Sequence, residues 1–321
     1  MDNSELDPKI IEQIKKLEQK YDVMGQDISS YLDGLLYADY LTYWNYINLD
    51  TLLSLQNPKT KFEDEMIFII YHQITELYFR LVLWELDQIA ENKNIKVDNF
   101  ITRVKRVVNY FEHLIHSFNI MVDGMDKNQF LKFRMTLLPA SGFQSGQYRL
   151  IEFCSTEMIN LVKHGLAKQV DPNNLEECYK NIYWKDGSME LATGKKTLTL
   201  KQFEEKYSSI FIEKAKYFRN CNLGQIYENK FSNTKQGEEI KSLLKRYDGL
   251  VNISWKLVHY KSAVRYLHKD PVDIAATGGT NWQKYLPPKF QKIVFYPSLW
   301  TKKEKENWGK TWVMKEVFQM D

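Results

Sequence analysis

The sequence predicts an all-α fold. Apolar residues recur at helical spacing over three long stretches, near 63–91, 97–121 and 237–269. A charged amphipathic segment at 8–22 repeats the pattern, with Ile10, Ile11, Ile14 and Leu17 at helical spacing. Only 165–235 departs from it, where short strands or extended loop are expected near 180–200. These features predict a helical bundle formed as a single domain over 1–321, with 165–235 as a variable excursion.

The 321 residues bound the answer to one large domain or two ordinary ones. Hydrophobic residues make up 44% and aromatics 14%, enough for a sizeable core or for a stacked ligand. The net charge of +3 comes without a dominant basic tract, which argues against a nucleic-acid partner. Cys154, Cys178 and Cys221 are scattered without metal-binding spacing and fit reduced thiols. The N-terminus is acidic and polar rather than a signal peptide, and no apolar run reads as the ~20 residues needed to cross a bilayer. A soluble, cytoplasmic protein without a membrane partner is expected.

The helix at 8–22 starts near Pro8 and is expected to pack on something, such as a neighbouring subunit. Residues 29–56 are rich in Tyr and Leu and end before Pro58. Asp64 and Glu65 then open a helix that continues to about 91, their charges suiting its N-terminal dipole. At nearly thirty residues it would be roughly 40 Å long, the spine of a bundle. The next helix carries His113 and His116 at i, i+3, a spacing open to a metal but without an evident third ligand. Residues 138–149 form a Ser/Gly-rich loop in which small residues allow close backbone approach. Asp171–Pro172–Asn173–Asn174 reads as a turn. Beyond the last long helix, Thr277–Gly278–Gly279–Thr280 lacks phosphate-loop spacing but suits a loop folding over a ligand.

Two histidines stand out. His72 lies inside the apolar run Phe68–Ile69–Ile70–Tyr71–His72–Gln73, and Phe68, His72 and Glu76 share one helix face. His259 lies in Trp255–Lys256–Leu257–Val258–His259–Tyr260. A lone histidine in an apolar helix is more often a satisfied core residue than a ligand. The surrounding segments lift both above that reading.

Those segments together resemble the tryptophan 2,3-dioxygenase family. The likeness runs through Tyr43–Trp44–Asn45–Tyr46, Asp64–Glu65, Phe68–Ile69–Ile70–Tyr71–His72–Gln73 and Phe133–Arg134. It continues in Pro139–Ala140–Ser141–Gly142–Phe143–Gln144–Ser145 and ends with His259, Arg265 and Thr277–Gly278–Gly279–Thr280. The resemblance implies an oxidoreductase with haem b, in which O2 opens the indole ring of L-tryptophan to N-formyl-L-kynurenine, the entry to the kynurenine pathway of tryptophan catabolism. His259 would be the axial ligand of the haem iron, and His72 would lie opposite, near the indole nitrogen, as the catalytic-side residue. Phe68 would wall the indole, Arg134 would pair with the substrate carboxylate, and Thr277 would touch its ammonium or carboxylate. Ser141 and Gly142 would line the haem edge. Tyr43, Tyr46 and Ile47 would reach the pocket from a neighbouring subunit of a homotetramer, through an N-terminal segment of about sixty residues. Two other readings stay open at this point: a related haem enzyme that adds one oxygen to tryptophan, a substituted tryptophan or tyrosine, and a non-catalytic haem or amino-acid sensor.

Overall fold

A computed structural model of the chain describes residues 6–38, 41–137, 145–189, 195–268 and 287–310. The fold is all-α, as expected: among the described residues the only β pairing is two isolated bridges, Val162 with Ile182 and Met189 with Lys196. The chain divides into two compact units, Met1–Gln56 and Asn57–Asp321.

The first unit holds α1 (Pro8–Val23), α2 (Ile28–Leu36), α3 (Tyr43–Tyr46) and α4 (Leu49–Leu53). Pro8 at the start of α1 needs no intrahelical donor, and Asp7 caps it by accepting from the Lys9 amide. Gly25, at φ +65°, makes the turn to α2, a conformation that favours glycine. Tyr21 and Tyr31 meet across that turn with ring centroids 4.6 Å apart. None of the residues in these four helices is buried.

The second unit is built around α5 (Asp64–Glu91), whose 28 residues match the predicted spine. Tyr71, Phe79, Val82, Leu83, Leu86 and Ile89 are buried along it. They meet α6 (Val97–Ser117), which buries Phe100, Ile101, Val104, Val107, Val108, Phe111 and Leu114 on one face. Each such large side chain contributes roughly 1.5–3 kcal/mol by leaving water. Glu85 is buried on the same interface and accepts from Arg103 at 2.7 Å and Arg106 at 3.1 Å. The opposite face of α5 exposes Ile70, Ile74, Leu77, Leu81 and Trp84. By length and composition alone α5 is long and apolar enough to cross a bilayer, which corrects the reading that no run is. Both its faces are apolar, so counting unbroken apolar residues misses what the whole helix averages to.

Two short helices follow, α7 (Asn119–Asp123) and α8 (Lys127–Phe133). Asp126 caps α8 by accepting from the Gln129 amide at 2.9 Å. Then come α9 (Gly146–Ser155), capped by Ser145, and α10 (Leu175–Lys180). Near 180–200 the described residues form a 3-10 turn at Tyr183–Ser188, flanked by the bridge residues Ile182, Met189 and Lys196, before the start of α11 (Leu198–Phe218). Thr197 caps α11 by accepting from the Leu200 amide at 3.2 Å, so the Thr/Leu alternation there is a helix start rather than a strand. α11 packs on α9, with Phe203, Phe211 and Phe218 at most 3% exposed.

The predicted helix over 237–269 is α13 (Gly237–Gly249) and α14 (Trp255–Leu267), after the short α12 (Leu223–Ile226). A π-turn at Leu250–Ser254 joins α13 to α14. The described C-terminal stretch carries α15 (Pro288–Gln291) and α16 (Lys302–Glu306). It is tied to α13 by the buried carboxylate of Asp248. That group accepts from the amides of Phe295 and Tyr296, the indole of Trp300 and the amide of Asn252.

Candidate active site

His72 is on α5 and His259 on α14, and each ring is anchored the same way. His72 Nδ1 lies 2.7 Å from the Phe68 carbonyl, and His259 Nδ1 lies 2.7 Å from the Trp255 carbonyl. A carbonyl only accepts, so each Nδ1 carries the proton and each neutral ring presents the lone pair of Nε2. Burial pulls the His259 pKa down to about 4, opposed by the Trp255 hydrogen bond and helped by the nearby charge of His72. Phe118 links the two helices, its ring 4.4 Å from His259 and 5.7 Å from Tyr71, the residue before His72. His72 has water-accessible surface but is recessed among protein, and desolvation holds its pKa below the ordinary histidine value. Both rings are neutral near pH 7.

Aromatic side chains bracket the pair. Phe118, between α6 and α7, sits 5.7 Å from Tyr71, 5.3 Å from Trp255 and 4.4 Å from His259. Trp255 also meets His259 edge-on at 4.4 Å. On the other side Phe68 stacks obliquely on His72 at 4.0 Å and meets Phe133 at 5.7 Å and Phe130 at 6.4 Å. Phe130 in turn lies 4.5 Å from Tyr266 of α14. Arg134 follows Phe133 directly, at the start of a 3-10 turn, and is 6% exposed. Burial lowers its pKa, though a guanidinium stays charged. Gln147 of α9 donates to both the carbonyl and the carboxylate of Glu76, each at 2.9 Å, one helical turn beyond His72.

Beside this aromatic shell lies a buried ionic cluster. Arg149 donates to Glu152 at 2.9 Å and to the Tyr183 hydroxyl at 2.9 Å, and that hydroxyl donates to Glu152 at 2.5 Å. Lys256 Nζ stands 4.5 Å from the Tyr183 ring centre and is buried without a hydrogen-bond partner. Desolvation lowers its pKa to about 7, against the opposing pull of Glu152.

The structure sets Phe68 against His72 and links α5 to His259 through Tyr71 and Phe118, with Arg134 one residue from the aromatic wall. Ser141, Gly142 and Thr277 lie outside the described residues. Tyr43, Tyr46 and Ile47 lie in the first unit, where Tyr43 is 71% and Tyr46 75% exposed. Arg265 is exposed on α14. His113 and His116 are not part of any metal cluster: among the described residues no group of three metal-ligating side chains occurs. Sequence reasoning missed Phe118, Gln147 and the Arg149–Glu152–Lys256 cluster. The only signal for the last was charge inside otherwise apolar helical runs.

The residues present fit a haem group. A neutral imidazole with its Nδ1–H committed to a backbone carbonyl is the form that ligates iron through Nε2. Aromatic walls on both sides suit a flat macrocycle and an indole.

Comparison with known proteins agrees. The tryptophan 2,3-dioxygenase family model matches residues 31–208, more than half of the chain. The tryptophan 2,3-dioxygenase of Rattus norvegicus is 40% identical over 126 residues, 37% of this chain and 30% of that protein. That of Ruegeria sp. is 38% identical over 121 residues, 36% of this chain and 42% of that protein. These two matches therefore span less than half of the relatives' length. That of Bacillus thuringiensis subsp. konkukian is 26% identical over 281 residues, 84% of this chain and 94% of that protein. On the match across 31–208, which takes in α5, His72 and Arg134, the chain belongs to the tryptophan 2,3-dioxygenase family.

Proposed function

We propose that this chain is a haem-dependent dioxygenase that opens the indole ring of L-tryptophan with O2 to give N-formyl-L-kynurenine. The observation that carries the reading is the pair of histidines, each with Nδ1 fixed by a carbonyl four residues back and Nε2 left to a ligand. His259 would hold haem b through Nε2, between the rings of Phe118 and Trp255. Bound haem supplies the redox-active iron that activates dioxygen.

The chain's own groups do the rest. Phe68, backed by Phe130 and Phe133, offers an apolar wall for the indole. His72 Nε2, bearing a lone pair, accepts a hydrogen bond from the indole N–H and sets the ring's orientation. Arg134, the residue after Phe133 in that wall, would take the substrate carboxylate in a charge-assisted pair. Ser141 and Gly142 at the haem edge, and Thr277 at the substrate ammonium or carboxylate, complete the assignment on the strength of the family motif.

The same reading includes a homotetramer in the cytoplasm, with Tyr43, Tyr46 and Ile47 donated to a neighbour's pocket. Two features support self-association. The first unit buries none of its helical residues, and α5 exposes Ile70, Ile74, Leu77, Leu81 and Trp84 at the 4-3-4-3 spacing of a helix seam. The three cysteines are free, in keeping with a reducing compartment.

The test is a spectrum of the haem-loaded, dithionite-reduced protein mixed with L-tryptophan and O2. A Soret band followed by a product two oxygen atoms heavier than tryptophan is expected. A product one oxygen heavier would replace the dioxygenase with a monooxygenase. No haem uptake would overturn the reading.

A further inference from the structure

The long helix that carries His259 is irregular just before it. At Leu250–Ser254 the hydrogen bonds run one residue further than in an α-helix, and the Trp255 amide closes the turn on the Leu250 carbonyl. A π-turn absorbs one extra residue. If the turn relaxed to α geometry, every later side chain would swing by about 100° around the axis. His259 would then leave the bracket of Phe118 and Trp255, and its ring would face other neighbours. Its orientation depends on the irregular turn persisting.

Two contacts hold that turn from outside its own backbone. Asn252 donates to Asp248 at 2.8 Å from within the helix. The hydroxyl of Tyr148, on α9, donates to the Val251 carbonyl at 3.3 Å. Tyr148 is 6% exposed, so its hydroxyl has no water to turn to. Its ring packs against Phe79 at 5.5 Å, and Phe79 meets Trp255 at 5.8 Å. Trp255 is the residue that both ends the π-turn and, through its carbonyl, fixes His259 Nδ1 at 2.7 Å. The chain of contact is thus complete from Tyr148 to the ligating ring.

We propose that Tyr148 is a positioning residue for His259, acting through the π-turn at Leu250–Ser254. Its hydroxyl stabilises the irregular turn over the regular helix and so holds His259 Nε2 toward the haem iron. The assignment rests on His259 being the axial ligand. A tyrosine is needed here for one atom only, since phenylalanine would fill the same space.

The test is Tyr148→Phe in the full chain, loaded with haem beside the wild type. The readouts are the haem dissociation rate and the iron–histidine stretching band of the ferrous protein. Loss of one neutral hydrogen bond is expected to speed haem release by about threefold to tenfold and to shift or broaden that band. The unloaded forms are compared by denaturant midpoint. A loss of stability of the same size with and without haem, and an unmoved band, would make Tyr148 a packing residue and overturn the proposal. Unchanged release and an unchanged band would overturn it too. Failure of the wild type to take up haem, by contrast, would sink the ligand assignment itself.

Discussion

The molecule treats buried polar groups in two opposite ways. Around Asp248 and Glu152 every carboxylate is met: Asp248 accepts from four donors and Glu152 from Arg149 and Tyr183. Around His72 and His259 one nitrogen of each ring is bonded and the other is presented outward. Both regions are lined with aromatic side chains, so composition does not separate them. The difference lies in satisfaction. A fully met polar group stabilises the fold, while one with a capable atom left over and a fixed direction is available for a ligand. Lys256 belongs to neither class: its Nζ is buried beside that cluster without a hydrogen-bond partner.

The contrast can be broken most sharply at His259. His259→Ala removes the nitrogen held between Phe118 and Trp255, and haem retention is expected to fall more than roughly 100-fold, read from the Soret band after gel filtration. His72→Ala under the same protocol should keep its haem. Equal loss in both would mean that the two rings are not functionally distinct.

In the satisfied region the loss should appear in folding instead. Glu152→Leu leaves the Arg149 guanidinium buried without its carboxylate, and a destabilisation of about 3–5 kcal/mol is expected from the denaturant midpoint. The surviving folded fraction should bind haem as the wild type does.

Lys256→Met should act in the other direction, raising stability near pH 7 by about 2–4 kcal/mol, because it removes a cost rather than a contact. The sign follows from linkage. The folded-state pKa of about 7 lies below the ordinary lysine value of 10.5, so between these the unfolded chain holds the proton and the folded one does not. Wild-type stability should therefore gain a rising component from pH 7 toward 10.5, and the Met variant should lack it. The groups facing Lys256 are Arg149 and Glu152 on α9, Tyr183 on the 3-10 turn and Asp248 on α13. Parallel pH curves for the two proteins would refute the assignment.

Arg134→Leu is expected to weaken L-tryptophan binding by roughly 10- to 100-fold through loss of a charge-assisted bond, measured by titration of the haem spectrum. Unchanged affinity would place the substrate carboxylate elsewhere. Smallest of all, Lys105→Ala deletes a solvent-exposed bridge to Glu239 at 2.8 Å, and a change below about 0.5 kcal/mol is expected.

Much of the fold was legible because helical periodicity is local. The spine at 64–91 and the helix starting at Val97 lie where the apolar spacing places them. The region 165–235 was less legible for a physical reason. Its helix α11 carries buried phenylalanines spaced by eight and seven residues with charge between them, and its first turn is a Thr/Leu alternation that imitates a strand. The site was legible only in part. His72 was visible as an odd residue in an apolar run, but Phe118, Phe130 and Gln147 are ordinary helix residues until the chain folds.

Sequence alone determined the helical class through residue type at short spacing, and the family and the two histidines worth naming through a resemblance that runs along the chain. Only the tertiary structure decided which ring nitrogens are committed and that Phe118 and Trp255 flank His259. It also showed a π-turn setting the direction of His259 and a lysine buried without an acceptor. Those depend on contacts such as Phe79 with Trp255, 176 positions apart, which no local pattern encodes.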